Sequence, residues 1–312
     1  MNLVFDRGRV NQLVDVAGIK FTEKSFCAAD SSDIEPNMSN GSRGPVFYAE
    51  AEDPELAHAK AAAAASFKYL WRELTWEYRR IIPGLELSAI KAAFKDPDSD
   101  RDAVEHMWLS EIEFDGEMIS ATLLNSPNQL TSIEEGDRVT LLRDQVEDWM
   151  YVMGGRVYGG YTIQVLRARM SPGERRGHDQ AWGFTFPEPD RVEVVPNWQA
   201  QGKKKLFAGL FANRTATPID PDTEHPMSEN MGDSLAEAIA QDRAGFLELG
   251  AAGLNTLHSL ALGGSAAGVR VLLAAGADPH LRTKSGRTAR ELAEMMGWPR
   301  VVELLREAEA RE

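Results

Sequence analysis

The sequence predicts an α+β domain, with a long helix packed on a twisted antiparallel sheet, followed by an all-α array of stacked helical pairs. Three patterns support this fold class. Between Phe67 and Tyr78, apolar residues recur at helical spacing. After Ile90 the apolar period changes to two, which is typical of strands. Beyond Gly253, a helical unit is repeated at an offset of 33 residues.

The N-terminal region is predicted to be an arm followed by the long helix. Residues 1–50 contain short apolar patches and a stretch rich in Ser, Asn, Gly, Asp and Pro, so we expect a partly ordered arm. The α+β domain is placed at 51–190. Asp53 can cap its first helix, and Pro54 suits the first turn. Pro83-Gly84 is expected to end this helix, whose apolar face favours core packing over partner binding.

The predicted sheet is a series of hairpins. Asp115-Gly116 separates strands at 107–114 and 118–124, and its composition suits a type I′ turn with positive φ at both residues. Other strands are predicted at 90–95, at 139–142, between Gly154-Gly155 and Gly159-Gly160, at 161–169, and through Trp182, Phe184 and Phe186. Sequential hairpins behind one helix indicate an antiparallel α+β domain.

Several motifs in this region resemble the YegJ-like bacterial family, domain of unknown function 2314, in the order expected. They are Glu105-His106-Met107-Trp108, Asn125-Ser126-Pro127, Gly136-Asp137, Asp148-Trp149-Met150-Tyr151 and Gly159-Gly160-Tyr161-Thr162. The resemblance covers about residues 50–190. It implies a small α+β fold that is often attached to other modules, and it implies no activity. The motif residues of unknown role are Glu105, His106, Trp108, Asn125, Asp148, Trp149 and Tyr161.

Residues 191–232 are predicted to be a linker, because they are rich in Pro, Asp, Thr and Asn. Lys203-Lys204-Lys205 is interpreted as a solvated basic run, and the apolar residues from Leu206 to Phe211 as a short helix. Residues 233–250 are interpreted as a degenerate helical pair capped by Asp233 or Ser234. A plain linker helix is the alternative for this segment.

The two clear repeats carry helix signals at matching positions. Asn255 and Thr288 stand where a helix needs an N-cap acceptor, and Glu291 completes a capping box. Gly276 follows an apolar helix, where a left-handed residue can end it. Pro299 suits the first turn of the last helix, because its missing N–H would have no partner there.

These repeats resemble the ankyrin family, whose period is 33 residues of two short helices and a turn. The resemblance covers about residues 233–312, with two clear repeats and one degenerate repeat. It implies structural roles for Gly253, Asn255, His258, Gly276, Asp278, Gly286, Thr288 and Glu291. It also implies a protein-binding finger formed by His280, Leu281, Arg282, Thr283, Lys284 and Ser285.

The sequence departs from the ankyrin motif in two ways. Thr256 and Ala289 stand where the family usually has proline, and Arg290 replaces the buried leucine found at Leu257 in the other copy. The second departure is expected of a terminal repeat with one solvated face. An ordinary pair of helical hairpins is the alternative. Because two repeats cannot bury their apolar faces alone, we expect further helices to pack beside them.

Charge and cysteine content limit the partners and the location. The net charge is −14 at pH 7, so nucleic acid is not an expected partner. Residues 101–150 carry twelve acidic residues against three arginines, a net −9, which indicates a solvated face or a surface that attracts a basic partner. Cys27 is the single cysteine, so no intramolecular disulfide can form. No leader-like or bilayer-length apolar segment occurs, and we expect a bacterial cytoplasmic location without membrane contact.

No sequence motif points to a particular chemistry. The six histidines are scattered without metal-ligand spacing, and we expect no metal and no cofactor. Asp148-Trp149 either lines a groove or caps a turn and plugs the sheet. The main hypothesis is a non-catalytic protein that binds another protein, with toxin neutralisation as a specific version. The alternative is a hydrolase-like enzyme that uses Glu105, His106 and Asp148.

Overall fold

A computed structural model describes residues 53–96, 104–198, 220–250 and 253–311, and the backbone of two short strands nearer the N-terminus. The chain forms two compact units. Unit 1 comprises Met1–Phe67 and Arg80–Glu193, and unit 2 comprises Lys68–Arg79 and Val194–Glu312. Helix α1, Pro54–Glu77, therefore contributes its first part to unit 1 and its second part to unit 2. The sequence-based boundaries had assigned this whole helix to the first domain.

Unit 1 is built on an antiparallel sheet. Its strands are β1 (Glu23–Ser25), β2 (Phe47–Ala49), β3 (Leu87–Phe94), β4 (Glu105–Phe114), β5 (Met118–Leu123), β6 (Arg138–Leu142), β7 (Val146–Met153) and β8 (Arg156–Gly159). The order is β2-β1-β4-β3-β7-β8, and β5 pairs with both β4 and β6. Strands β3 to β8 pair antiparallel, as the hairpin pattern predicts, whereas β1 and β2 pair parallel.

The first part of α1 packs on this sheet. Trp149 on β7 is fully buried, and its Nε1 donates to the carbonyl oxygen of Ala63 at 2.9 Å. The ring of Phe67 meets that of Phe114 edge-on at 5.6 Å between centroids. The N-terminus of α1 begins as predicted, because the side chain of Asp53 accepts hydrogen bonds from two backbone N–H groups of the first turn. Unit 1 is thus a mixed α/β structure in which Phe67 and Trp149 are buried between α1 and the sheet. A second buried cluster, which includes Trp108, Met150 and Trp182, joins the sheet to residues 163–186.

The end of α1 differs from the sequence prediction. The helix stops at Glu77, before Pro83-Gly84. Tyr78, which helical spacing placed on the packed face, is 41% exposed. From Tyr69 to Glu77 every residue of the helix is buried, including charged ones. A single apolar face therefore describes only the first part of the helix.

Two segments predicted as strands are helices. Residues 161–169 form α2 (Tyr161–Arg169), and Trp182 ends α3 (Pro172–Trp182). The apparent alternation in 161–169 was misleading, because the buried residues of α2 fall at helical spacing. For α3 a local signal existed, since Ser171 and Glu174 form a capping box around Pro172. Phe184 and Phe186 follow α3 outside any strand, beside a single β-bridge between Thr185 and Arg156.

The hairpin turn at Asp115-Gly116 also differs from its prediction. Gly116 has φ of 103°, but Asp115 is not among the residues with positive φ, so the turn is not type I′. Instead the Asp115 carboxylate accepts hydrogen bonds from the N–H groups of Glu117 and Met118, at 2.9 and 2.7 Å. The Asp side chain therefore organises the turn by hydrogen bonding rather than by left-handed backbone geometry.

Unit 2 contains seven further helices among the described residues. They are α4 (Pro226–Asn230), α5 (Gly232–Gln241), α6 (Arg243–Leu247), α7 (Thr256–Leu262), α8 (Ala266–Ala274), α9 (Ala289–Met296) and α10 (Pro299–Glu309). Helices α7 and α8 pack as one pair and α9 and α10 as a second, and the two pairs pack on each other through α7 with α9 and α8 with α10. Helices α4 and α5 add to α8.

In residues 220–250, before the two clear helical pairs, the structure differs from two predictions. Neither Asp233 nor Ser234 caps α5, because that helix already begins at Gly232; Asp242 caps α6 by accepting the N–H of Gly245 at 3.0 Å. Part of the predicted linker is helical, since α4 lies within it. The predicted short helix at 206–211 and the basic run at 203–205 lie outside the described residues, as does the predicted arm apart from β1 and β2.

Candidate functional site

The predicted finger, residues 280–285, lies at the N-terminal ends of α7 and α9. His258 in α7 is buried, and its Nδ1 accepts the N–H of Asn255 at 3.2 Å, so Nε2 carries the proton. That Nε2 donates to the carbonyl oxygen of Leu281 at 2.9 Å. Burial lowers the pKa of His258, while the bond to Leu281 acts in the opposite direction. The neutral imidazole thus ties the finger to the start of α7.

The N-terminal caps of α7 and α9 lie at the same end of the two helical pairs. Asn255 accepts the N–H of His258 at 3.0 Å, and Thr288 accepts the N–H of Glu291 at 3.2 Å in a reciprocal capping box. Gly253, Gly276 and Gly286 all have φ near 80°. At Gly253 the left-handed backbone is combined with a close approach, since a Cβ there would lie 2.5 Å from Cγ of Lys284. Only glycine meets both requirements without strain.

The opposite ends of α7 and α9 are covered by other residues of unit 2. The turn after α9 places Trp298 against the turn after α7, where its Nε1 donates to the carbonyl oxygen of Leu262 at 3.0 Å. The Lys68 ammonium lies 4.6 Å from the Trp298 ring centroid and donates to the carbonyl oxygen of Gly297 at 3.1 Å. A Cβ on Gly263 would meet the side chain of Thr75 at 2.6 Å. The second part of α1 therefore lies across both turns.

A polar cluster holds the segment just before α4 against α1. Arg72 is 1% exposed, and its Nη1 donates to the carbonyl oxygens of Pro221 and Thr223 at 2.8 and 3.3 Å. Its guanidinium also lies over the rings of Trp198 and Trp298, at 5.2 and 5.6 Å from their centroids. The sequence carries no local signal of this role, because a charged residue in a long helix is usually solvent-exposed.

In unit 1, Glu105 organises the loop that contains the Asn125-Ser126-Pro127 motif. It is 1% exposed and accepts hydrogen bonds from the backbone N–H groups of Asn128, Gln129 and Leu130. Asn125, in the same loop, is also buried. A carboxylate that accepts three backbone N–H bonds is a structural anchor, because each donor needs an acceptor once it is removed from water.

His106 points to a different partner. Its Nδ1 contacts the Glu147 carboxylate, which also accepts a hydrogen bond from Lys60 at 2.7 Å. Burial raises the pKa of Glu147, but the contacts with His106 and Lys60 outweigh this effect and lower the pKa to about 2. The sequence did not single out Glu147 or Lys60, because 41 and 46 residues respectively separate them from His106.

Asp148 caps α2 from a distant strand. Its fully buried carboxylate accepts the N–H groups of Trp149, Tyr161 and Thr162 at 2.8, 3.0 and 2.8 Å, and the Thr162 hydroxyl at 2.6 Å. Burial raises the pKa of Asp148, whereas the bonds from Thr162 and the charge of Lys91 oppose that shift. Trp149 is fully buried against α1, and Trp108, which lies two strands away on β4, is 5% exposed. Asp148 therefore caps a helix and Trp149 packs in the core, and neither side chain lines a groove.

The three residues of the enzyme hypothesis are not brought together by these contacts. Glu105 binds the backbone of 128–130, His106 binds Glu147, and Asp148 binds the start of α2. Across the described parts of the chain, no group of three His, Cys, Asp or Glu side chains has an arrangement that could hold a metal ion. None of the described helices combines the length and apolar character needed to cross a membrane.

Comparison with known proteins gives one match to the middle of the chain and one to most of its length. The model of a family described as "Uncharacterized protein conserved in bacteria (DUF2314)" matches residues 53–186. A "Putative ankyrin repeat protein" of Neisseria meningitidis serogroup B (strain ATCC BAA-335 / MC58) is 36% identical over 260 residues, which cover 83% of this chain and 96% of that protein. The chain belongs to this ankyrin-named family.

A second relative matches a smaller part of the chain. The "Uncharacterized protein YegJ" of Escherichia coli strain K12 is 35% identical over 74 residues, which cover 24% of this chain and 48% of YegJ. No solved structure matches the chain. Both resemblances inferred from the motifs are thus shown by the comparisons.

The DUF2314 match contains every motif residue of unknown role, from Glu105 to Tyr161. In this structure several of them act as anchors of loops or helix ends: Glu105, Asp148 and Trp149 each hold backbone or pack the core. The finger residues and the helix caps of 253–291 lie outside the DUF2314 match. The two regions therefore present separate sets of candidate residues.

Proposed function

We propose that this chain is a non-catalytic protein that binds another protein, and that α5 to α10 act as a short ankyrin array whose finger is the binding surface. The observation that carries the proposal is the difference between the two edges of the helical pairs. The edge formed by the turns is covered by the chain itself, whereas the finger edge is exposed.

The covered edge argues against partner binding through the turns. Lys68 and Thr75 occupy the turns after α9 and α7, and Tyr69 meets Trp298 edge-on at 6.1 Å. Two helical pairs bury too little apolar surface to be stable alone, so α1 and α4 supply the missing packing surface. This arrangement leaves the finger edge for another molecule.

At the finger edge, the backbone is held while side chains remain accessible. Thr283 is buried, and its N–H donates to the carbonyl oxygen of Arg287 at 2.9 Å. Lys284 N–H donates to the carbonyl oxygen of Gly253 at 3.2 Å. His280, Arg282, Lys284 and Ser285 are exposed. A held loop loses little conformational entropy on binding, which favours affinity.

The family supports this proposal in general terms, because the Neisseria relative is named for ankyrin repeats. Toxin neutralisation is a narrower version of the proposal. Its support is the acidic segment 101–150, which has a net charge of −9. Glu105 and Asp148 of this segment are buried, but exposed acids such as Glu113, Glu134 and Glu135 would attract basic proteins. We favour the finger over the acidic segment as the binding surface, because the finger is a defined structural element whereas the support for the acidic segment is its net charge.

The proposal is tested by site-specific photo-cross-linking of the full chain in its native cell. A photoreactive phenylalanine replaces Ser285 in the finger, or exposed Glu307 on α10 as the matched control. We expect one protein to be captured at position 285 and not at 307, with capture suppressed by excess unmodified chain. The captured protein is then purified and must bind the full chain in solution. Equal products at both positions, or none at 285, would contradict the proposal.

A further inference from the structure

Strand β6 ends the sheet on one side, and no described strand pairs with its outer edge. The edge of β8, another end strand, is covered by the chain. There the N–H of Val157 donates to the carbonyl oxygen of Thr185 at 3.0 Å, and the N–H of Gly159 donates to that of Glu193 at 2.7 Å. Native proteins usually cover or interrupt a strand edge, because its unpaired N–H and C=O groups can bind another chain. The edge of β6 is therefore a candidate interaction surface.

The hydrogen bonds to β5 show which backbone groups of β6 face outward. Asp137 and Arg143 flank β6, and their backbone groups bond at 2.9 and 3.2 Å to backbone groups at or beside the two ends of β5. In an antiparallel pair such bonds recur at every second residue, so Arg138, Thr140 and Leu142 direct their N–H and C=O groups away from β5. The N–H of Leu142 already donates to a side-chain oxygen of the following turn at 2.7 Å. An added strand can therefore bond to the N–H groups of Arg138 and Thr140 and to the carbonyl oxygens of all three residues.

The side chains at this edge leave it accessible. Thr140 and Leu142 are exposed, Leu142 by 42%. Lys and Pro, which often block strand edges, are absent from β6. The guanidinium of Arg138 turns back over the sheet, where Nη1 donates to the carbonyl oxygen of Glu111 at 2.7 Å and Nη2 lies 3.1 Å from Oε2 of Glu113. The strand thus offers its backbone groups and one apolar side chain to an incoming segment.

The turns at the two ends of β6 carry an excess of negative charge. Four acidic side chains there are exposed, and none of them forms an ion pair within the described part of the chain. They are Glu117, Glu134, Glu135 and Asp144. The two arginines of residues 134–144 do not compensate them, because Arg138 pairs with Glu113 and half-buried Arg143 lies over the ring of Phe67, 5.7 Å from its centroid. A basic segment is therefore complementary to this edge.

We propose that the edge of β6 binds an extended basic segment of another protein, which adds to the sheet as a further strand. In this mode main-chain hydrogen bonds supply affinity, and Lys or Arg side chains near the ends of the added strand face the exposed acids. Nucleic acid and a second copy of this chain are disfavoured, because both bring negative charge to an acidic surface. The edge belongs to unit 1 and the finger to unit 2, so this inference does not require the finger to be a binding surface.

Fluorescence anisotropy with the full chain compares three labelled peptides. The first alternates Thr and Val and has Lys at both ends, and the second has Glu at both ends instead. The third keeps the Lys ends but has Pro at alternate positions, so it has the same charge without the N–H groups that strand pairing needs. We expect the first peptide to bind in a salt-dependent way and each of the others to bind at least about tenfold more weakly.

Two pairs of variants separate the backbone from the charge. Thr140→Pro removes an outward N–H without removing a bond to β5, and Thr140→Val, which keeps that N–H, is its matched control. Glu134→Gln with Asp144→Asn removes two of the acids, and Glu188→Gln with Asp190→Asn makes the same change at exposed residues elsewhere in unit 1. Thr140→Pro should weaken binding of the first peptide at least about tenfold. The first acid pair should weaken it and reduce its salt dependence, and both controls should bind like wild type. Circular dichroism verifies that each variant is folded.

Hydrogen exchange of the wild-type chain provides a test that needs no variant. Binding of the first peptide should slow exchange at the amides of Arg138 and Thr140 and leave that of Val139, which faces β5, unchanged. Unchanged exchange at those two amides, equal binding of the Pro-containing peptide, or equal affinity of Thr140→Pro and Thr140→Val would overturn the inference. A wild-type dimer in sedimentation that Thr140→Pro dissociates would also overturn it, because the edge would then bind a second copy. Cross-linking at 285 is a separate measurement, so the proposed function stands if this inference fails.

Discussion

His225 and Glu73 form a buried pair in unit 2, with His225 Nε2 lying 3.3 Å from Glu73 Oε2 and the two side chains 2% and 0% exposed. His225 Nδ1 accepts the N–H of Met227 at 3.1 Å, so Nε2 carries the proton and donates to the carboxylate. The imidazole also stacks on Trp76, at 5.7 Å between centroids and 16° between planes. This pair fastens the start of α4 to α1.

Removing this carboxylate should destabilise unit 2. Glu73→Ala leaves the His225 N–H without its acceptor in a buried site, so we expect a loss of about 1–3 kcal/mol in the free energy of unfolding. Exposed Glu229→Ala on α4 is the control and should change stability by less than about 0.5 kcal/mol. Urea unfolding followed by tryptophan fluorescence measures both variants. A Glu73 variant as stable as the control would show that the pair contributes nothing.

Glu147 should make unit 1 sensitive to acid. Its pKa is lowered from 4.5 to about 2 in the folded protein, so the stabilisation is fully present above about pH 4.5 and is lost as the pH falls through about 2. Glu147→Gln should therefore be less stable than wild type near neutral pH, by up to about 3 kcal/mol, and the difference should shrink between pH 4.5 and 2.

The measurement is the free energy of unfolding across this pH range for wild type, Glu147→Gln and exposed Glu134→Gln. Asp53 and Asp96 also have pKa values lowered to about 2, through bonds from Arg169 and from Ser132 and Thr131 respectively. Their effect is common to all three proteins and cancels in the difference. A gap between wild type and Glu147→Gln that is constant with pH would disprove the ionic role of Glu147.

Asp148 is expected to be structural rather than catalytic. Asp148→Ala leaves three backbone N–H groups and the Thr162 hydroxyl without their acceptor, and it removes the carboxylate that interacts with the charge of buried Lys91. We expect a loss of more than about 3 kcal/mol. Adding Lys91→Met to this variant should recover part of the loss, because it removes a buried charge that no longer faces the Asp148 carboxylate. Denaturant unfolding of the single and double variants tests this, and a loss below about 1 kcal/mol in Asp148→Ala would contradict it.

Alanine substitutions at two glycines of the β7–β8 hairpin should separate the cost of a left-handed backbone from the cost of a steric collision. Gly154 and Gly159 have φ of 59° and 74°. A Cβ on Gly154 meets nothing within 4 Å, whereas one on Gly159 would lie 2.3 Å from the carbonyl oxygen of Trp149. Gly154→Ala should therefore cost about 1 kcal/mol, from the left-handed backbone alone.

For Gly159→Ala we expect at least about 3 kcal/mol, because the buried strand beside it must move. Thermal unfolding compares the two variants directly. If both lost the same stability, the close approach of Gly159 to Trp149 would not matter.

Helix caps and hairpins were predictable because their signals are local. Thr288 and Glu291 form a capping box within four residues, and the alternation of β4 and β5 spans one hairpin. The error at 161–169 shows the limit of local patterns. The start of α2 is fixed by Asp148, thirteen residues before the helix begins. Apolar alternation within 161–169 carries no trace of that contact and suggested a strand.

By itself, the sequence determined the two family resemblances of this protein, the antiparallel pairing of its main strands, the start of α1 and the position of the repeated helices. Each depends on interactions between residues close in the chain. Tertiary structure alone decided that the second part of α1 groups with the C-terminal helices, and that His106 contacts Glu147 rather than Asp148. These contacts depend on which buried charges and hydrogen-bond donors meet after folding. The spacing of residues along the sequence does not show which distant residues will meet.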